Sequence, residues 1–205
     1  MIPAYWNQAS DELAQRDPAL APLIVRHRHE SLKSRGDPFA TLARSIVGQQ
    51  ISVKASESVW QRFLAALPAP TPEAVAAAAP EQLRACGLSQ RKVEYIRDLA
   101  GHFLEGRIHP ATWTDMDDEA IIAELTDVRG IGRWTAEMFL IFNLMRPDVL
   151  PLDDIGLQRA MALRYNGGEA LPRKELRTIG ESWRPWRSVA TWYLWRALDP
   201  EPVEY

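Results

Sequence analysis

The chain is punctuated throughout in the way that helical proteins are: a capping residue or a proline opens each apolar segment, and glycine or proline closes it. Asp37 stands before Pro38, and apolar residues then recur at helical spacing as far as Gly48. Ser52 and Ser89 begin two longer segments of the same kind. No segment alternates apolar and polar residues between hairpin turns, so the sequence predicts an all-α fold.

Further helices are predicted along the rest of the chain. They begin at Pro72 and Pro80, cover residues 117–127, 133–145 and 155–163, and resume near Pro185. At 205 residues the chain is long enough for one substantial domain or for two small subdomains. No apolar run approaches the ~18 residues of a membrane span, and the first residues lack a leader pattern. We therefore expect a cytoplasmic protein.

The charge balance excludes a broad electrostatic coat for nucleic acid. Lys and Arg number 24 against 27 Asp and Glu, which leaves a net charge of −3 and a pI of about 5.8. Nonspecific phosphate binding ordinarily needs a basic excess, so a DNA partner would have to be contacted by local groups. The single cysteine, Cys86, excludes an internal disulfide and any iron–sulfur cluster or zinc site built from several thiolates.

Between two apolar segments lies the sequence VRGIG, residues 128–132, which is short enough only for a tight turn and is called the hairpin below. Gly130 and Gly132 permit left-handed backbone and leave amides uncovered by side chains. Such amides, together with the positive end of a helix that begins at Arg133, can hold a phosphate. The simpler alternative is a helix–helix loop that ends in glycine.

The run LTDVRGIGRWTAEMF, residues 125–139, resembles the helix-hairpin-helix element of the HhH-GPD superfamily of DNA glycosylases, although Arg129 stands where that family usually has proline. The resemblance implies a monovalent cation, Na⁺ or K⁺, on the carbonyls of Arg129 and Ile131, and no other cofactor and no iron–sulfur cluster. It also implies a DNA phosphate contact through the hairpin and the next residue: Gly130, Ile131, Gly132 and Arg133.

The segment LPLDDIG, residues 150–156, resembles the catalytic segment of the same family, in which the matching aspartate is Asp154. Cleavage of an N-glycosidic bond builds positive charge on the deoxyribose, which a carboxylate stabilises, and the carboxylate can also orient the attacking water. We expect Asp153 to cap or brace the turn and Asp154 to face the substrate. Simple N-capping of the following helix is the alternative role for this pair.

Bifunctional members of the superfamily carry a lysine at the position of Trp134, and its amine forms a Schiff base with the sugar. An indole cannot do so, and the resemblance therefore implies a monofunctional glycosylase that uses water and leaves an abasic site. Trp134 and the P-x-D-D segment are most similar to the 3-methyladenine DNA glycosylase II branch, which acts in base excision repair of alkylated bases. We expect Trp134 and Met138 to line the base pocket; core packing is their alternative role.

The segment SIVGQQIS, residues 45–52, resembles the family's loop that enters the minor groove and fills the gap left by a flipped nucleotide. Gln50 matches the plug position and Gln49 is its neighbour. A polar loop residue without a function is the alternative. This segment is called the wedge loop below.

Residues 173–196 hold six basic side chains against two acidic ones, a local charge of +4 that we interpret as part of the missing basic patch. The sequence WRPWRS within it resembles the start of the family's last long helix. We assign Arg187 a structural or phosphate-binding role.

Members of this family fold as two helical subdomains around a cleft. We place one subdomain at residues 37–145, with the wedge loop and the hairpin, and the other at 1–36 plus 146–205, with Asp154 and the basic C-terminal helix. The expected partner is double-stranded DNA with a damaged base, and we expect a monomer. Two alternatives remain open: a bifunctional or oxidised-base glycosylase, and a non-catalytic helix-hairpin-helix DNA-binding module.

Overall fold

A computed structural model describes residues 2–34, 36–67 and 69–198 of the chain. Every regular element within these ranges is helical, which confirms the predicted all-α fold. In chain order the helices are α1 (Trp6–Arg16), α2 (Ala21–Arg26), α3 (Pro38–Gly48), α4 (Val53–Ala66), α5 (Pro72–Ala77), α6 (Pro80–Ala85), α7 (Gln90–Leu104), a 3₁₀ helix (Pro110–Asp115), α8 (Asp118–Thr126), α9 (Arg133–Phe142), α10 (Ile155–Tyr165), α11 (Arg173–Glu181) and α12 (Arg187–Leu198).

The described residues divide into two compact units. One contains residues 36–139 and is called the hairpin unit; the other contains residues 2–34 with 140–198 and is called the aspartate unit. The second division falls inside α9, a few residues before the boundary at 145 that was expected from the sequence.

Side-chain caps set where the helices of the hairpin unit begin. The Asp37 carboxylate accepts a hydrogen bond from the Ala40 N–H at 2.8 Å, and Pro38 follows at the first helical position. Ser52 and Ser89 cap α4 and α7 in the same way. These caps were predicted correctly because capping depends on residues that are neighbours along the chain.

The hairpin unit is organised around α7, which packs against α3, α5 and α6. The side chains of its core are apolar and recur at helical spacing on each element: Phe39, Leu42, Ile46, Trp60, Phe63, Val75, Leu83, Val93, Ile96, Leu99, Ile121, Leu125 and Phe139. Burial of this face accounts for most of the stability of each helix, since short helices are marginal alone.

In the aspartate unit, α12 packs against α1, α2 and α10. The N-terminal segment is joined to α12 and to the turn before it by polar contacts as well as by apolar packing. The Ser10 hydroxyl lies 2.9 Å from the Tyr193 hydroxyl, and Asp17 accepts from the Trp183 indole N–H at 2.9 Å. The N-terminal segment is therefore an integral part of the fold of this unit.

The helices differ from the prediction in some of their bounds and in four elements that were not predicted. α9 ends at Phe142 instead of 145, because Met145 has a left-handed φ of 56° and the Arg146 N–H turns back to the Leu140 carbonyl at 2.9 Å. α12 begins at Arg187, two residues after Pro185. Four elements were not predicted: α1, α2, α11 and the 3₁₀ helix. Of these, α2 and the 3₁₀ helix are short, and α11 buries only a narrow face.

Among the described residues, no helix combines the length and apolarity that a bilayer crossing requires.

Candidate functional site

The two glycines of the hairpin have different roles. The turn requires glycine at 130, whereas position 132 has room for a side chain. Gly130 has a φ of +87°, and a Cβ there would lie 2.2 Å from the Tyr95 ring, so no other residue fits this backbone. Gly132 is exposed and has open space where a Cβ would lie. Between them, Ile131 is buried and its N–H donates to the Val128 carbonyl at 3.1 Å. Of the four residues that were predicted to contact phosphate, Ile131 therefore has its amide engaged within the turn.

Arg133 begins α9 directly after the hairpin. Its guanidinium forms two hydrogen bonds with the Glu119 carboxylate and a third with Glu137 at 3.0 Å. These hydrogen bonds raise the pKa of Arg133, and the contact with Arg133 lowers the pKa of Glu119. A phosphate that approached the Arg133 side chain would have to compete with these carboxylates.

The wedge loop contacts the hairpin directly. The side-chain amide of Gln49 donates to the Gly130 carbonyl at 2.8 Å, although the two residues are 81 positions apart. Gln50 follows with a left-handed φ of 60° and an exposed side chain. Lys92 of α7 supports the end of α3 by donating to the Val47 carbonyl at 2.7 Å, and its partial burial lowers the pKa of its amine.

The two residues expected to line the base pocket differ in exposure. Trp134 is 38% exposed, so part of its indole lies at the surface. Met138, one turn later on α9, is only 8% exposed. The burial of Met138 is what its alternative role in core packing would produce.

Asp154 is the N-cap of α10 and is buried, with 8% of its surface exposed. Its Oδ1 atom accepts two hydrogen bonds, from the Leu157 N–H at 2.6 Å and from the Trp195 indole N–H at 2.9 Å. Glycine at 156 leaves room for this arrangement, because a Cβ there would lie 3.1 Å from the same oxygen and 3.5 Å from the indole. The Trp195 ring is itself stacked on Phe142.

The structure contradicts one of the roles expected for Asp153, the capping of α10. Asp154, and not Asp153, caps the helix, since α10 begins at Ile155 and Asp153 lies one position too early for its side chain to cap it. Asp153 is exposed and forms an ion pair with Arg173. Capping does not exclude a role in chemistry, because a carboxylate that caps a helix can still stabilise positive charge that develops nearby.

The basic stretch of residues 173–196 is less basic in the folded protein than its sequence suggested. Arg187 is largely buried and bonds Asp148 through Nε at 2.7 Å, and it also contacts Glu181 at 3.0 Å. Arg184 pairs with the same two carboxylates. Asp148 and Asp153 lie before the stretch in sequence, so the local count of +4 omitted them. Ion pairs therefore hold the Arg187 side chain within the aspartate unit, and its expected role in phosphate binding stays a prediction.

The hairpin carbonyls were expected to hold a monovalent cation. The Gly130 carbonyl accepts from Gln49, which leaves those of Arg129 and Ile131 as the candidate ligands in the turn. Carbonyl oxygens are suitable ligands for a hard cation such as Na⁺ or K⁺. The carbonyl oxygens of Arg129 and Ile131 are both neutral, which suits an ion of single charge. Over the residues that the structure describes, no group of three or more His, Cys, Asp or Glu side chains could bind a metal ion.

The predicted site residues fall into both units. The wedge loop, the hairpin, Trp134 and Met138 belong to the hairpin unit, whereas Asp153, Asp154 and Arg187 belong to the aspartate unit. Sequence reasoning missed Trp195, which contacts Asp154 from 41 positions away. No local pattern distinguishes that tryptophan from its neighbours on α12.

A glycine hairpin between two helices, joined in one chain to a buried aspartate at a helix N-terminus, defines a helix-hairpin-helix protein with a carboxylate site. A model of the HhH-GPD superfamily, described as base excision DNA repair proteins, matches residues 43–185. The chain belongs to this superfamily.

Known relatives agree with this assignment. DNA-3-methyladenine glycosylase 1 of Schizosaccharomyces pombe is 32% identical over 181 residues, which cover 86% of this chain and 79% of that protein. The crystal structure of a DNA-3-methyladenine glycosidase from Bacillus halodurans is 37% identical with a TM-score of 0.83, covering 91% of this chain and 87% of that one. S. pombe Mag1 in complex with abasic DNA is 30% identical with a TM-score of 0.78, covering 92% and 95%. The predicted family is thereby confirmed.

Proposed function

We propose that this protein is a monofunctional DNA glycosylase that hydrolyses the N-glycosidic bond of alkylated bases, of the 3-methyladenine and 7-methylguanine type, in double-stranded DNA. It flips the damaged nucleotide out of the helix, leaves an abasic site and acts as a monomer in base excision repair. The observation that carries the proposal is the buried Asp154 carboxylate, which two N–H donors hold through one oxygen.

The geometry of Asp154 suits the chemistry of glycosidic cleavage. The bond between C1′ and the base nitrogen breaks with its electron pair leaving on the base, and positive charge develops on the deoxyribose. A preorganised carboxylate stabilises that charge without rearranging, because Leu157 and Trp195 already hold Oδ1. Water then attacks C1′, and Asp154 orients it and accepts its proton.

Trp134 supports the choice of substrate. Alkylation at a ring nitrogen makes a purine cationic, so the base departs as a neutral molecule and is a better leaving group. A cationic base is also attracted to the face of an indole, and Trp134 is partly exposed on α9. Since an indole has no amine, the residue at this position cannot form the Schiff base of a bifunctional enzyme.

The hairpin and the wedge loop supply the contacts with DNA. The exposed backbone at Gly132, at the positive end of α9, binds a phosphate. The carbonyls of Arg129 and Ile131 would hold a Na⁺ or K⁺ ion, which would add positive charge at the hairpin. Gln50 enters the duplex in place of the flipped base, and Gln49 joins its loop to the hairpin through Gly130.

Incubation with methylated genomic DNA, followed by chromatography of the released bases, tests this function. The wild-type protein is expected to release 3-methyladenine and 7-methylguanine, and Asp154→Asn is expected to be at least about 100-fold slower while still capping α10. An undiminished rate in Asp154→Asn contradicts the assigned role. Duplex binding without base release would indicate a binding module, and a covalent DNA adduct trapped by borohydride would indicate a bifunctional enzyme.

A further inference from the structure

The side chain of Asp98, on α7, holds the backbone of the hairpin at Arg129. Its Oδ2 atom accepts a hydrogen bond from the Arg129 N–H at 2.8 Å, across 31 positions of sequence. Its Oδ1 atom lies 3.5 Å from the Arg129 guanidinium. The Asp98 side chain is only 19% exposed, whereas that of Arg129 is 62% exposed. The backbone contact is therefore the shielded one, and the guanidinium contact is largely in solvent.

The same face of α7 supports the hairpin at the next residue as well. Tyr95, one turn before Asp98, packs its ring against Gly130 so closely that a Cβ could not fit between them. The Gly130 carbonyl also accepts from the side-chain amide of Gln49 in the wedge loop. Asp98 is thus the one charged group among three contacts that fix consecutive residues of the turn.

The charge of Asp98 has the wrong sign for a direct role in DNA binding. A carboxylate within hydrogen-bond distance of the hairpin backbone repels a phosphate that binds to the same turn. Removing that negative charge would therefore strengthen DNA binding if electrostatics alone mattered. Removing a group that holds the turn in its binding geometry would weaken it. The two roles predict effects of opposite sign.

We propose that Asp98 is a positioning residue for DNA binding, which holds the Arg129 N–H so that the hairpin keeps the backbone geometry that binds phosphate. This inference rests on the proposed phosphate contact of the hairpin. A proline at position 129 would have no N–H, and its ring would fix φ. It would therefore not need the hydrogen bond to Asp98. Arg129 has an N–H and no ring to fix its φ, and Asp98 supplies by hydrogen bonding the restraint that a proline would supply covalently.

Asp98→Ala tests the proposal by fluorescence anisotropy with a duplex that contains a tetrahydrofuran abasic-site analogue. The Kd is expected to rise about fivefold to tenfold. The single-turnover rate of 7-methylguanine excision at saturating enzyme is expected to stay within about twofold of wild type, because Asp98 does not act on the reacting atoms. An unchanged or lower Kd overturns the proposal, as does an equal loss in the saturated rate.

Asp98→Asn keeps an oxygen acceptor for the Arg129 N–H and removes only the charge. It is expected to bind DNA as tightly as the wild type or more tightly. If it binds as weakly as Asp98→Ala, the backbone hydrogen bond is not what matters and the proposal is wrong. Glu94→Ala, which removes an exposed carboxylate of the same helix, is the matched control and is expected not to raise the Kd.

The double variant Asp98→Ala with Arg129→Pro provides the rescue experiment. Its Kd is expected to return to within about threefold of Arg129→Ala, which keeps the N–H and measures the loss of the guanidinium alone. A double variant that binds DNA as weakly as Asp98→Ala overturns the proposal.

Gly132→Ala separates the role of Asp98 from the phosphate contact of the hairpin. Weaker binding in Gly132→Ala with no effect of Asp98→Ala refutes only the role of Asp98, whereas unchanged binding in Gly132→Ala refutes the phosphate contact on which it rests.

Discussion

The indole N–H of Trp195 donates a hydrogen bond to Oδ1 of Asp154 at 2.9 Å, and the same oxygen accepts from the backbone at the start of α10. Two donors from different elements therefore fix the rotamer of one carboxylate. A hydrogen bond to an ionised group is worth about 1.5–3 kcal/mol, which is enough to matter for a group that acts only when it is correctly oriented.

Trp195→Phe removes this donor and keeps an aromatic ring against Phe142. We expect the single-turnover rate of base excision to fall about tenfold, because Asp154 loses one of the two groups that orient it. Trp192→Phe is the matched control. It removes another indole of α12, whose ring packs on Trp6. A Trp195→Phe rate no lower than that of the control would mean that the hydrogen bond does not contribute.

Substitution of the two hairpin glycines is expected to separate folding from binding. Gly130→Ala places a Cβ against Tyr95 on left-handed backbone and is expected to cost about 2–4 kcal/mol of unfolding free energy in urea. Gly132→Ala meets open space, so its stability is expected to stay within about 0.5 kcal/mol of wild type. Its affinity for DNA is nevertheless expected to fall, because the methyl group projects from the surface that a phosphate would approach.

Gln50→Gly is expected to raise stability and lower activity together. The left-handed backbone at Gln50 is strained for a residue with a Cβ, so glycine is expected to stabilise the fold by about 1 kcal/mol. Without the side chain, nothing replaces the flipped base, and excision from duplex DNA is expected to slow relative to excision from a single strand. An equal change on both substrates would argue against the wedge role.

DNA binding is expected to depend only modestly on salt. Arg173, Arg184 and Arg187 are paired with carboxylates within the aspartate unit, and the net charge of the chain is −3. A plot of log K against log salt concentration, from anisotropy between 50 and 300 mM, is expected to have a slope of about −2 to −4, which corresponds to a few neutralised phosphates. A slope near −9, typical of about ten contacts, would show that these ion pairs open on DNA.

The ion pair between Glu119 and Arg133 is expected to make stability depend on acid pH. The hydrogen bond from Arg133 lowers the pKa of Glu119 below that of the unfolded chain, about 4.3. Its stabilisation is therefore fully present above that pH and is lost as the pH falls through the lower, folded-state pKa. The side chain of Glu119 is 70% exposed, so solvent screens much of the effect.

Thermal unfolding of Glu119→Gln and wild type between pH 3 and pH 7 measures this contribution. The variant is expected to have a Tm lower by at most about 4 °C at pH 7, and the difference is expected to shrink below about pH 4. Glu94→Gln, whose carboxylate accepts from the neutral Gln90 amide, is the control and is expected to show no such convergence. A Tm difference between wild type and Glu119→Gln that stayed constant with pH would contradict the assignment.

Much of the fold was predictable because it depends on neighbours along the chain. The caps Asp37, Ser52 and Ser89 and the turn at Gly130 involve residues within four positions of each other, so the sequence pattern is sufficient. The helix α11 was missed because only Leu176 and Gly180 are buried on it, and its polar surface resembles a basic loop.

The helical class, the hairpin and the resemblance to the family all follow from residues that are neighbours along the chain. The groups that hold the site residues in place follow instead from how the helices pack: Trp195 on Asp154, Asp98 on Arg129, Gln49 on Gly130 and Asp148 on Arg187. The physical reason is that a hydrogen bond depends on the positions of both partners within a few tenths of an ångström. For residues 31 to 81 positions apart, those positions are set by the packing of whole helices and not by local sequence.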